Sequence, residues 1–461
     1  MAVVANLAGL VFLMLIAYRG FSVILFAPLA ALLPVLLVHP SQVPQIFTSI
    51  YMEKTVYFIK LYFPLFLLGS VFGKLIEISG FAQSIVAAIV GLMGRSRTVI
   101  AVVMVCALMT YGGVSLFVVV FAVYPFAAEM FRQAQIPKRL IPATLALGAF
   151  SFTMDALPGT PQIQNIIPTT FFGTTAWAAP ILGCVGSLFI LVSGLSYLTW
   201  RLGRIAGEGY GVGHRNEPET LHSSALPSPW LAILPLIAVP LLNLLFASII
   251  SKNYGASSTL VLAGLSAPLV TNVSAVVSVW ALEGALLAGI VIVLVLGFRT
   301  LRIGIPEASK LAVSGALLAT MNTGSEYGFG AVISALPGFV AVRDVLGTIP
   351  HPLLNAAVTT TTLAGITGSA SGGLGIALGA MSANFISMAH AAGIPLEVMH
   401  RVTAMASGGM DDLPHNGAVI TVLAVTGLTH RQSYPDIFAI TILKTIAVFL
   451  VILVYSITRI S

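Results

Sequence analysis

Met154-Asp155-Ala156-Leu157-Pro158 returns as Met410-Asp411-Asp412-Leu413-Pro414, an offset of 256 between the first aspartates (411 − 155 = 256). Each copy joins a carboxylate to a proline deep inside an apolar chain. Proline removes a backbone donor and clashes with the preceding turn, so a helix arriving at either string should stop or kink there. Three other landmarks recur in the same order. Gly80-Phe81 returns as Gly338-Phe339 (338 − 80 = 258), Gly112-Gly113 as Gly372-Gly373 (372 − 112 = 260), and Ala134-Gln135-Ile136-Pro137 as Ala392-Gly393-Ile394-Pro395 (394 − 136 = 258). Four matches in register make an internal repeat, and a repeat governs every later inference about the fold. In a membrane protein, two halves with corresponding Gly/Pro interruptions point to a transport site.

Composition places the chain in a bilayer. Of its 461 residues 58% are hydrophobic and only 8% charged, against about 25% charged in soluble domains. Mean hydropathy is +1.02. Apolar runs long enough, or nearly so, to cross a membrane include Ala2–Tyr18, Phe21–Val38, Trp177–Trp200, Trp230–Ile250, Ala275–Gly297 and Ile437–Ile457. The excess of 21 Lys+Arg over 15 Asp+Glu is not a nucleic-acid patch, because the cations sit singly or in pairs between apolar runs. That is the form of a topology signal. Cys106 and Cys184 lie inside apolar runs without metal-site spacing, and read as inert packing residues. The first segment lacks a basic lead and a clear cleavage site, so it reads as a membrane helix rather than a cleaved signal.

The organisation expected is an all-α polytopic membrane protein of two inverted repeats. The first repeat covers 1–200, a polar linker 201–228, and the second repeat 229–461. The linker holds Arg201, Arg204, Glu208, Arg215, Glu217 and Glu219. Within the first repeat, an apolar segment at about 98–131 is broken by Gly112-Gly113 and flanked at both ends by cations: Arg95 and Arg97 before it, Arg132, Lys138 and Arg139 after it. A segment that starts and ends on one side and breaks at Gly-Gly is a candidate re-entrant hairpin, which requires cover by protein or a water-filled cavity at its tip; two full crossings would also return to that side, but each half is short for one. Its counterpart, about 352–395, has cation-poor flanks (Arg343 beside Asp344, and Glu397 before Arg401), which places it on the opposite side. A broken helix follows each hairpin, at about 140–172 and about 398–428. The helices resume over Gln162–Phe172 and Ala418–Leu428.

The chemistry gathers at these breaks. A helix that restarts in an apolar interior exposes backbone donors and the positive end of its dipole, an anion site. Candidate substrate-binding residues in the first half are Gly112, Gly113 and Ser115 at the hairpin tip, with Gly159, Thr160, Gln162 and Asn165 at the break. In the second half they are Ser371, Gly372, Gly373, His415 and Asn416, with Thr421 nearby. Thr160 and Asn416 fit simple capping of a buried helix end equally well. Asp155, Asp411 and Asp412 are candidates for ion coupling, since an ionisable group inside a bilayer is functional by default. Glu326, inside a second polar interruption at Asn322-Thr323-Gly324-Ser325-Glu326-Tyr327-Gly328, is either a further ion-coupling candidate or a residue facing a polar loop. Glu53, Lys54, Lys60, Lys74 and Glu77 bracket one span and should snorkel to the interfaces. No Arg or Lys is strongly placed at the breaks, which favours a substrate with one carboxylate. No metal site, cofactor motif, phosphate loop or nucleophile elbow is present in the sequence.

Met154–Pro168, Asn322–Phe339, Ser369–Gly379 and Ser407–Gly417 together resemble the gluconate permease (gluconate:proton symporter) family, and the resemblance runs over essentially the whole chain. It implies a place in the ion transporter superfamily: inverted repeats, inward and outward hairpins, a dimerising scaffold and elevator-type alternating access. Many sodium-coupled members of that superfamily carry Ser-Asn-Thr at the hairpin tips. Here the tips read Tyr111-Gly112-Gly113-Val114-Ser115 and Ser369-Ala370-Ser371-Gly372-Gly373, a departure that leans toward protons. The resemblance therefore implies a secondary symporter, not an enzyme, that imports a gluconate-like sugar acid or a hydroxybutyrate-like hydroxy acid with H+. Its expected partners are a small organic anion, the lipid bilayer and a second copy of the chain, in a bacterial inner membrane. The alternative with the same fold is Na+-coupled uptake of a di- or tricarboxylate. An intramembrane aspartyl enzyme built on Asp155 with Asp411 or Asp412, and a channel, are the other classes to separate.

Overall fold

A computed structural model describes residues 2–19, 21–93, 97–114, 116–211, 226–264, 267–301, 304–338, 349–414 and 416–461. Ser115, His415, Phe339, Arg95, Arg343, Asp344 and 212–225 of the linker, with Arg215, Glu217 and Glu219, lie outside the described residues.

Two short helices open the chain, α1 (Ala2–Tyr18) and α2 (Val23–Val38). A 39-residue helical run, α3 (Pro40–Ile78), follows, then α4 (Phe81–Met93). The first hairpin is α5 (Thr98–Tyr111) and α6 (Leu116–Gln133). Its arms of 14 and 18 residues are about 21 and 27 Å long at 1.5 Å per residue, short of the roughly 30 Å hydrocarbon core. The broken helix is α7 (Ile141–Ala149), one isolated turn at Phe152–Asp155, and α8 (Ile163–Phe172). Then come the long helices α9 (Pro180–Ile205), α10 (Pro229–Tyr254), α11 (Val273–Leu296) and α12 (Ile305–Ala335). The second half repeats the pattern with a hairpin of α13 (Pro352–Thr367) and α14 (Ala370–Ala391), then α15 (Leu396–Ser407), a break, α16 (Gly417–Thr426) and α17 (His430–Thr458). Among the described residues, six helices are long and apolar enough to cross a membrane: α3, α9, α10, α11, α14 and α17.

The two short helices end alike. Gly173 closes α8 at φ +65° and Gly427 closes α16 at φ +67°. This left-handed closure is nearly free for glycine and strained for other residues. The halves also interlock. α8 of the first half packs on α14 and α15 of the second, while α16 of the second packs on α6 and α7 of the first. α9 and α17 pair beside this crossing, and α12 lies along α3.

Three expectations change. The chain is not wholly α: Ser257–Leu260 pairs antiparallel with Leu269–Asn272, Leu260 opposite Leu269. Thr259, Leu260, Val270 and Thr271 suit a pleated ribbon once Gly255 (φ +65°) has ended α10. The polar stretch Asn322–Gly328 does not interrupt its helix but lies in the middle of α12. A glycine costs a helix only about 1 kcal/mol, and here glycine allows contact: a Cβ on Gly328 would strike Thr55 Oγ1 and the Tyr51 carbonyl of α3. Cys106 is buried as expected, but Cys184 is exposed on the outer face of α9.

Candidate functional site

Both breaks are buried, and their side chains meet. Lys444, in the middle of α17, turns its ammonium to Asp411 Oδ1 at 2.8 Å, Asp412 Oδ2 at 2.8 Å and the Phe150 carbonyl at 2.7 Å. One cation thereby ties the aspartate pair of the second break to the end of α7 in the first half. An ammonium has three donors, and all three are used. Asp155 is next to this cluster. A Cβ placed on Gly408 would collide with Asp155 Oδ2 and crowd Lys444 Cε, so glycine is what lets the two halves approach here. Asp155 Oδ2 and Asp412 Oδ1 are buried without a hydrogen-bond partner.

Arg401, wholly buried on α15, is the second cation of the cluster. Its five N–H groups all have acceptors. Nε donates to Ala178 O at 3.1 Å; Nη1 donates to Asp155 O at 3.1 Å and Asn165 Oδ1 at 2.9 Å; Nη2 donates to Ala176 O at 3.3 Å and Ala178 O at 2.8 Å. His400 lies between Thr174 Oγ1 (2.6 Å from Nδ1) and Asn165 Oδ1 (3.2 Å from Nε2). Arg401 and His400 thus hold the loop after α8 and the carbonyls freed by the first break. The idea that no Arg or Lys stands at the breaks is overturned by these two cations. Lys444 was hidden as the lone charge in the apolar run Ile437–Ile457, and Arg401 looked like a flanking charge. Neither has a donor to spare.

The other candidates sort by what already occupies them. Thr160 Oγ1 donates to Thr153 O at 2.6 Å, and Asn165 Nδ2 donates to Thr160 O at 2.9 Å and Ala176 O at 2.8 Å. These bonds close the broken backbone from within. The tip amides are also engaged. Gly112 N donates to Leu108 O, Gly113 N to Thr110 O, Gly373 N to Ser369 O and Gly159 N to Ala176 O. Gly372 N donates to the Ser369 hydroxyl. As placed here, these five glycines offer no amide to an anion. Ser371 Oγ lies 3.4 Å from Thr323 Oγ1. Thr421 Oγ1 back-bonds to Gly417 O.

Glu326 stands apart from the aspartates. It is buried, and a Cβ on Gly372 would strike its Oε2, with Ser369 Oγ alongside. This sets a carboxylate against the first turn of α14, where helix dipole and N-cap favour negative charge.

The restarting helices differ at their N-termini. Asn416 caps α16, its Oδ1 accepting from Ala418 N and Val419 N, while its Nδ2 donates to Gly368 O at 2.9 Å on the tip of the second hairpin. Gln162 precedes α8 without a side-chain cap. Its Nε2 instead donates to Thr110 O at 2.7 Å and Val114 O at 3.3 Å on the first tip. Around that uncapped end, Thr110 Oγ1, Gln164 Oε1 and Trp177 Nε1 are buried without partners. Nothing in the sequence sets these three apart, since a lone threonine, glutamine or tryptophan in an apolar run carries no signal.

Buried charge is expensive: several kcal/mol per ion unless paired. A helical chain with candidate spans that spends this cost where two broken helices meet has the build of an integral membrane transporter. A known relative agrees. The chain is 54% identical, over 469 aligned residues and 99% of both chains, to the uncharacterized transporter YxjC of Bacillus subtilis (strain 168). It belongs to the family of that transporter, and it is a transporter rather than an enzyme. No protein-family model matches the chain. Among solved structures, the Alcanivorax borkumensis YdaH transporter aligns over 88% of each chain with 15% identity and a TM-score of 0.45.

Proposed function

We propose that the protein is a secondary symporter that imports a small organic monocarboxylate together with a proton. The sugar-acid or hydroxy-acid class comes from the resemblance of its break motifs to the gluconate permeases. The observation that carries the coupling is charge. Asp155, Asp411 and Asp412 stand with two cations, Lys444 and Arg401; Lys444 pairs with Asp411 and Asp412, Arg401 holds the Asp155 carbonyl, and the unpartnered oxygens are Asp155 Oδ2 and Asp412 Oδ1. With every group ionised the cluster keeps one surplus negative charge, which a single proton on Asp155 neutralises. Buried sites are driven to neutrality because an uncompensated charge in low dielectric costs far more than a bound proton.

The substrate carboxylate is assigned to the uncapped N-terminus of α8, where the first-turn amides and the dipole favour an anion. Gln162 frames it, and Trp177 Nε1, Thr110 Oγ1 and Gln164 Oε1 are free to take hydroxyl groups. One carboxylate fits better than two, because all donors of Lys444 and Arg401 are taken. The re-entrant reading of the two hairpins, elevator-type access, a homodimer and a bacterial inner membrane belong to the same proposal. The second reading, Na+ coupling, draws on the same unpartnered carboxylate oxygens.

Labelled gluconate and 3-hydroxybutyrate uptake into proteoliposomes is the test, under an inward proton gradient with and without Na+. Accumulation on the proton gradient alone supports symport with H+. Accumulation only with Na+ transfers the protein to the second reading.

A further inference from the structure

Lys444 raises the question of why a lysine, of all residues, stands in the middle of an apolar helix. Its ammonium sits among oxygen atoms only: two carboxylates and one main-chain carbonyl freed by a helix break, at 2.7–2.8 Å. Carboxylates and carbonyls of unwound backbone are the ligands that hard cations take in proteins, and broken helices of transporters supply them to Na+. Two further buried oxygens of the same cluster, Asp155 Oδ2 and Asp412 Oδ1, have no partner. Among the described residues, the charged and titratable groups around it are Asp155 on the isolated turn, Asp411 and Asp412 at the second break, and Arg401 and His400 on α15. Gly408 keeps Asp155 and Lys444 against each other.

We infer that the Lys444 ammonium is a tethered substitute for a sodium ion, filling an oxygen cage built by both breaks and thereby restricting the coupling ion to a proton at Asp155. The inference rests on the reading of Asp155 as the coupling group. With Lys444 in place the cage already holds its monovalent cation, and the remaining charge is met by something that needs no cage. Without Lys444 the same oxygens are left with two or three negative charges and no cation among them. Lys444 is in this sense a specificity-determining residue that never has to touch substrate.

The test reads ion binding rather than transport, so it stands even if the substrate assignment fails; failure of symport appears separately, as wild-type vesicles that accumulate neither acid. Thermal unfolding of the purified full chain in detergent is followed in NaCl and in choline chloride at equal ionic strength. The wild type should unfold at the same temperature in both salts. Lys444→Gln should gain several degrees in NaCl over choline chloride, saturably with Na+. The charge-balanced Lys444→Gln/Asp412→Asn guards against a single variant that does not fold; it should respond in the same direction by a smaller shift. Recovery of folded variant in NaCl but not in choline chloride counts for the inference. Na+-dependent stabilisation of the wild type, folded variants indifferent to Na+, or loss of both variants in both salts would overturn it.

Discussion

The first and second breaks share a motif and a backbone plan, yet one is open and the other closed. At the second break Asn416 caps α16 and pins it to Gly368, and Asp411 and Asp412 are held by Lys444. At the first break Gln162 gives its side chain to the hairpin tip and leaves α8 uncapped, and Asp155 has an oxygen without partner. The repeat therefore supplies two similar frames, and a few substitutions make one rigid and the other receptive. Unmet polar groups are costly in an apolar interior, so their concentration at the first break marks where ligand and proton would be expected to bind.

The comparison breaks most completely at Asp155. Asp155→Asn should lower proton-driven accumulation more than tenfold while leaving unfolding temperature within a few degrees, because the charge it removes is the cluster's surplus one and Oδ2 makes no hydrogen bond; retained accumulation would remove Asp155 from coupling. Next in size is Gln162→Asn, which gives α8 the cap its counterpart has. Substrate KM should rise about tenfold as the side chain fills the anion's place, with stability unchanged or improved. An unaltered KM in vesicle uptake would move the carboxylate elsewhere. Trp177→Phe deletes one unpartnered donor and should raise KM a few-fold for hydroxylated acids, and less for the same acid without its hydroxyl. Smallest in transport is Asn416→Ala. It should cost about 1 kcal/mol of stability through the lost cap, seen as a lower unfolding temperature, with KM near wild type. A larger effect on KM than that of Gln162→Asn would reverse the roles given to the two breaks.

Much of this frame was readable in the chain, because repeats and helix breakers are local. The Met-Asp-x-Leu-Pro strings marked the ends of helices, and Asn416 was recognisable as a cap. What joins the breaks was not readable. Arg401 lies 246 positions from Asp155 and Lys444 lies 289 from it (401 − 155 = 246; 444 − 155 = 289), and nothing in either neighbourhood states which carboxylate it meets. A signal did exist for Lys444: one cation in the centre of a span is as exceptional as an acid there. Arg401 was masked by its place beside the end of the second hairpin, where flanking cations are ordinary topology signals. Glu326 was visible, but its setting was not: the glycines around it mark close helix contact with α3 rather than a gap in the helix.

The interlock of the halves also has a timetable. Asp155 is made 289 residues before Lys444 (444 − 155 = 289), and ribosomes add about 5–20 residues per second. For roughly 15–60 s the first half is in the bilayer with its acid unneutralised and α8 without the hairpin it rests on. During that interval the nascent chain is an incomplete object that water, lipid headgroups or an insertion chaperone must shelter. The codons for α17, which carries Lys444, are therefore the ones that end its vulnerability.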